Sequence, residues 1–118
     1  MIKLRYYKNL LFCSLDLIIV NQPLHLKNVL IDTGSATTVI NADYVLLDGT
    51  EIVNQVRGVG GFEQILTKNY STLNINGYLL NNTCMSIGDM DYGIDMDLLL
   101  GLDMLKALNA DISIKNMF

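Results

Sequence analysis

Val29-Leu30-Ile31-Asp32-Thr33-Gly34-Ser35-Ala36-Thr37-Thr38-Val39-Ile40 is the stretch on which the reading of this chain turns. An apolar run ends on a carboxylate, a turn marked by Gly34 follows, and a second apolar run begins. Such a pattern holds an ionisable group at the edge of a core, where burial and neighbours tune its proton affinity. Gly34 allows close backbone approach, so peptide N–H groups reach the Asp32 carboxylate, and Thr33 and Ser35 supply hydroxyls beside it.

Short β-strands extend outward from this stretch in both directions. Alternating or continuous apolar runs predict strands at Leu10 to Val20, Leu24 to Ile31, Thr38 to Ile40, Glu51 to Val56 and Glu63 to Lys68. Further strands are expected at Ser71 to Ile75, Thr83 to Ile87, Leu98 to Leu100 and Asp111 to Lys115. Asn21-Gln22-Pro23, Asp48-Gly49, Asn76-Gly77 and Asn81-Asn82 mark turns between them. Only Ala42 to Leu47 and Asp103 to Leu108 read as helical, with Asp103 a candidate cap and an end near Asn109. The 118 residues contain no repeat, linker or low-complexity stretch, so a single, mostly β domain over residues 1–118 is expected.

Composition narrows the function classes. Eight basic against twelve acidic residues leave a net charge of −4, which gives no general attraction for nucleic acid or anionic lipid. Cys13 and Cys84 match no metal or redox spacing and read as two reduced core thiols. With His25 the only histidine, a His/Cys zinc site is not expected, and a Ser–His–Asp arrangement would have to use a residue whose strand pattern points it to solvent. Asp89, Asp91, Asp95 and Asp97 surround Gly93 without the closing acidic residue of a calcium loop, so a solvated acidic connection is expected. Lys3, Arg5 and Lys8 precede the apolar run Leu10 to Val20 as in a secretory signal. Ser14 and Asp16 interrupt that run, however, and no small-residue cleavage site follows. The expectation is a soluble, cytoplasmic protein with no membrane partner.

Three elements in order carry a family resemblance. Leu30-Ile31-Asp32-Thr33-Gly34-Ser35 resembles the catalytic loop of retropepsin-like aspartic peptidases, including the single-domain cellular forms. Arg57-Gly58-Val59-Gly60-Gly61-Phe62 stands where that family has its flap hairpin. Asp97-Leu98-Leu99-Leu100-Gly101-Leu102-Asp103-Met104-Leu105 is similar to the family's apolar-apolar-Gly segment and short C-terminal helix. The resemblance covers the chain from about Leu10 to its end. It implies a closed acid-protease barrel, a flap and an aspartic endopeptidase that needs neither metal nor cofactor. Because the chain holds a single Asp-Thr-Gly, it also implies a homodimer, each copy contributing Asp32.

In the role assignment that follows from the resemblance, Asp32 is catalytic. Thr33 bonds across the dimer, Gly34 shapes the loop, and the Ser35 hydroxyl hydrogen-bonds the carboxylate. Val59, Gly60, Gly61 and Phe62 form the tip of the flap over an extended peptide substrate. The family often carries Ala after Asp-Thr-Gly, whereas Ser35 matches pepsin-like loops, and the two tails match no terminal strand of the viral relatives. A peptide-binding or assembly module without turnover, on the same fold, is the alternative from a different class.

Overall fold

The computed structural model describes residues 1–58, 61–90 and 94–118. Its strands are β1 (Arg5–Tyr7), β2 (Leu10–Ile19), β3 (Gln22–Ile31), β4 (Val39–Asn41), β5 (Ile52–Gly58), β6 (Gly61–Ile75), β7 (Tyr78–Gly88) and β8 (Leu98–Leu100), followed by helix α1 (Leu102–Ala107). The expected mostly β domain with a short C-terminal helix is therefore what forms. The strands share one sheet in the order β1-β2-β3-β8-β4-β7-β6-β5, and β2 also pairs with β6. That extra pairing, Leu17 against Ile75 and Ile19 against Leu73, returns the hydrogen-bonded order upon itself.

Two apolar clusters explain the residue choices along the central strands. Cys13, Leu26, Val29, Ile40, Leu98 and Leu100 belong to the main cluster, which is nearly solvent-free. Phe12, Leu30, Met90 and Met96 form a second one, with Val39 and Leu99 packed against it. Consecutive residues of β2, β3, β4 and β8 thus face opposite clusters. This two-sided burial is why Val29-Leu30-Ile31 and Leu98-Leu99-Leu100 are continuously apolar instead of alternating. A register shift between Cys13 and Leu15 on β2 places one extra β3 residue opposite it, a bulge that bends the pair.

Turn chemistry follows the sequence in places and strains it in others. Asn76 and Gly77 take φ of 50° and 90°, as the two-residue hairpin predicted for Asn-Gly requires. The β2–β3 turn instead uses Val20 and Asn21, at φ 49° and 62°, so a β-branched residue occupies the left-handed region. Asn109, at φ 49°, ends the helical segment where expected.

Several expectations are corrected. Glu63 to Lys68 and Ser71 to Ile75 are parts of one long strand, β6, because the Asn69 and Tyr70 backbones continue the ladder to Cys84 and Thr83. Ala42 to Leu47 yields only a 3-10 turn at Ala42–Tyr44, capped by the Asn41 side chain, which accepts from the Asp43 amide at 3.0 Å. Asp111 to Lys115 is not a strand. There the Ser113 and Phe118 backbones close on each other, and the Leu4 amide donates to the Met117 carbonyl at 2.8 Å. Arg5–Tyr7, unexpected from sequence, pairs with β2. Cys13 is a core thiol, held up at about 11 by burial against the lowering influence of Arg5, but Cys84 is exposed. Among the described residues, no helix is long and apolar enough to cross a membrane.

Candidate active site

Parallel pairing of β3 with β8, Val29 to Leu98 through Ile31 to Leu100, carries both strands to a common end. Asp32 leaves β3 there, and its amide donates to the Leu100 carbonyl at 3.0 Å. The Ser35 amide then donates to the Asp32 carbonyl at 3.2 Å, closing a four-residue turn. Within that turn the Gly34 amide donates to Asp32 Oδ1 at 3.0 Å, the backbone-to-carboxylate bond expected of a glycine at this position. Such a bond fixes the side-chain torsion.

The loop is seated from behind by the segment that joins β8 to α1. The Leu102 amide donates to the Ser35 carbonyl at 2.7 Å. A Cβ placed on buried Gly101 would lie 2.5 Å from the Thr37 carbonyl oxygen and 2.9 Å from that of Ser35, so glycine alone fits. Thr38, only 1% exposed, donates through Oγ1 to Asp103 Oδ1 at 2.7 Å and accepts from the Gly101 amide at 3.0 Å. The Thr38 amide donates to Asp103 Oδ2 at 3.2 Å. Asp103 therefore stands inside the first turn of α1, not at its cap, and ties the helix to the backbone just before β4.

Thr33 and Gly34 are exposed, while Asp32 and Ser35 are partly buried. Thr33 borders a cavity of about 290 Å³ with Leu102, Leu105, Lys106 and Ile112. The Ser35 hydroxyl differs from its expected role: it donates to the Thr37 carbonyl at 2.9 Å, so its proton is used within the loop. The local donor to the Asp32 carboxylate is thus a backbone amide. Val59 and Gly60 lie outside the described residues. Gly58 pairs with Gly61, joining β5 and β6 as a hairpin, and Phe62 is the second residue of β6.

One structural carboxylate escapes the reading from sequence. Asp97 there belongs to a solvated acidic connection, yet its Oδ2 accepts from the Lys27 and Asn28 amides, both at 3.0 Å. Its Oδ1 accepts from the Tyr44 hydroxyl at 2.8 Å. The position of Asp97 directly before Leu98-Leu99-Leu100 is the available clue, since a carboxylate at a strand entrance can bind amides of the neighbouring strand. His25 Nδ1 meets Asp16 Oδ1 at 2.6 Å on the surface, and the Ser14 hydroxyl donates instead to the Lys27 carbonyl, so these residues form no nucleophile triad.

The Tyr44–Asp97 bond has a pH signature. Hydrogen bonding to Asp97, then burial, then the charges of Asp97, Asp43 and Asp95 push the Tyr44 hydroxyl up to about 12. The folded state holds this proton more tightly than the unfolded chain, so the contribution is complete below pH about 10. It is lost as pH rises from there through about 12. Urea midpoints measured across that range should fall less steeply for Tyr44→Phe than for the parent chain. Lys68 and Tyr70, both also raised, contribute to the slope that remains.

Compared with models of protein families and with curated proteins, the chain matches none of either.

Proposed function

We propose that this chain is one half of an aspartic endopeptidase, active as a homodimer in the cytoplasm on extended peptide segments. The observation that carries the reading is the Asp32 carboxylate, held by the Gly34 amide at the shared end of two buried strands, in a chain with only one Asp-Thr-Gly. One carboxylate cannot serve as acid and base together. Two brought close across a two-fold axis cannot both ionise cheaply, so they share a proton and divide the roles. The ionised Asp32 takes a proton from a water that attacks the scissile carbonyl. The protonated Asp32 of the second copy polarises the carbonyl oxygen.

On this reading the ring of strand pairings is a closed acid-protease barrel. The β5–β6 hairpin is its flap, with Val59, Gly60, Gly61 and Phe62 closing over the peptide and excluding water. Substrate adds as an extended strand, its side chains entering alternate pockets. Thr33, exposed beside Asp32, bonds to its counterpart across the axis.

Incubation with a mixed peptide library from acidic to neutral pH tests the reading. Cleavage should be blocked by pepstatin-type inhibitors. At low concentration its rate should rise with the square of protein concentration, since only pairs are active. A stable dimer that binds peptides and cleaves none at any pH would establish the non-catalytic module instead. A strict monomer that cleaves would exclude the shared dyad.

A further inference from the structure

A cavity of about 940 Å³ lies apart from the Asp32 loop, with none of Asp32, Thr33, Gly34 or Ser35 in its lining. Its floor is the second apolar cluster: Phe12, Met90 and Met96 line it while being 2–6% exposed. Tyr6 and Tyr7 of β1, each more than half exposed, form a wall. The volume falls within the range of about 300–1,000 Å³ usual for ligand sites.

Charge at the rim is one-sided. Asp43, Asp89 and Asp95 line the cavity, and none of them has an ion-pair partner among the described residues. Among the described residues that line it, the single cation is Arg5. It is already committed: its guanidinium donates to the Lys27 carbonyl and, at 2.8 Å, to Asn28 Oδ1. Among the described residues no three His, Cys, Asp or Glu side chains are grouped to hold a metal ion, so the rim suits a spread of organic cations better than one inorganic cation.

Lysine and arginine have the matching shape. Their aliphatic stems pack on an apolar floor while their heads reach carboxylates or lie over tyrosine rings. Lys8 already sets its Nζ 5.5 Å from the Tyr7 ring centroid. β1 also stands at the end of the strand order, so its outer edge has no strand partner among the described residues and offers backbone groups to an extended peptide.

We propose that this groove is a second, non-catalytic binding site for an extended basic peptide segment, two or more lysines or arginines spaced by apolar residues. Through it a substrate is recruited by a stretch remote from the bond that is cut. Asn28 lines the groove and lies on β3 four residues before Asp32, about 13 Å along the extended chain, so one substrate can span both places. Recruitment rests on the peptidase reading; the binding itself does not.

The test uses the full chain carrying Asp32→Asn and a labelled peptide of alternating lysine and leucine, with its glutamate counterpart as control, read by fluorescence anisotropy. The basic peptide should bind and the acidic one should not. Affinity should fall at least about tenfold between about 50 mM and about 500 mM salt. It should fall by about as much again when Asp43→Asn, Asp89→Asn and Asp95→Asn are combined in a chain that melts within a few degrees of its parent. Tyr6→Ala, a single exposed change, should weaken binding severalfold. Equal binding of the two peptides, or basic-peptide affinity untouched by both variants, overturns the proposal.

With Asp32 intact, adding a basic stretch to a cleaved peptide should lower KM and leave kcat unchanged, and the triple variant should erase that difference. Basic-selective binding with no cleavage of any peptide would refute the peptidase reading and leave the groove standing. Cleavage indifferent to the basic stretch would refute recruitment and leave the peptidase standing.

Discussion

On the peptidase reading, Asp32→Asn is expected to lower kcat/KM for any cleaved peptide by at least about a thousandfold while leaving the fold in place. Asparagine keeps the shape of the side chain, and its Oδ1 still accepts from the Gly34 amide, the bond that now orients the carboxylate at 3.0 Å. What disappears is the proton-accepting capacity: two carboxamides facing across an axis neither share a proton nor activate water. Asp32 is only partly buried, so the cost in stability should stay within about 1 kcal/mol, read as a nearly unchanged melting temperature. Mixing the variant with the parent chain gives a sharper measurement. If both copies must carry the carboxyl, activity falls as the square of the parent fraction once subunits have exchanged. A linear fall would mean that each copy acts on its own, and a fall slower than linear that one aspartate per pair suffices; a variant retaining a tenth of the activity would remove Asp32 from the chemistry altogether.

Gly101→Ala should have the largest effect on stability of any glycine-to-alanine change among the described glycines whose surroundings leave room for comparison, Gly34, Gly88 and Gly101. The new Cβ meets two carbonyl oxygens, 2.5 Å from that of Thr37 and 2.9 Å from that of Ser35. Both belong to backbone that is already bonded: the Ser35 carbonyl accepts from Leu102, and the Thr37 carbonyl accepts from the Ser35 hydroxyl. Relief requires β8 to separate from the Asp32 loop, which breaks the Gly101–Thr38 and Thr38–Asp103 bonds as well. Overpacking of this kind costs about 3 kcal/mol, or roughly 10 °C in melting temperature for a domain of this size.

Gly34→Ala is the informative partner. Its Cβ would stand 3.3 Å from Asp32 Oδ1 and from no backbone group, so its stability cost should stay below about 1 kcal/mol. On the peptidase reading it should still impair cleavage, because it crowds the carboxylate. Equal melting temperatures for the two variants would show that Gly101 is not the tight point of the loop.

The local pattern around Asp32 was legible because it depends on neighbours in the chain. Apolar residues up to Ile31, a carboxylate, then a turn at Gly34 are short-range facts, and the Gly34-to-Asp32 bond spans two residues. Asn76-Gly77 was legible for the same reason: its backbone angles are a local preference. Asp97 and Asp103 were not. Each finds partners 53 to 70 residues away, Asp97 on Tyr44, Lys27 and Asn28 and Asp103 on Thr38 besides the adjacent Met104 amide, and no local rule distinguishes an acidic residue that will meet such distant donors from one that stays in water. Ser35 shows the same limit at short range. Proximity placed its hydroxyl near the carboxylate, but the folded loop presents the Thr37 carbonyl to it.

By itself, then, the amino-acid order determined the class of the domain, most of its strands, the apolar brackets of Asp32 and the amide that holds its carboxylate. Burial periodicity and turn preferences act over a few residues and survive in any context. Tertiary structure alone decided that β3 ends beside β8, that Gly101 has no room for a side chain and that Asp97 is a clamp. It also decided that Asp43, Asp89 and Asp95, distant in the chain from β1, gather with it around an apolar groove. Those outcomes depend on which distant backbone arrives opposite each residue, a property of the whole packed sheet and of no segment within it.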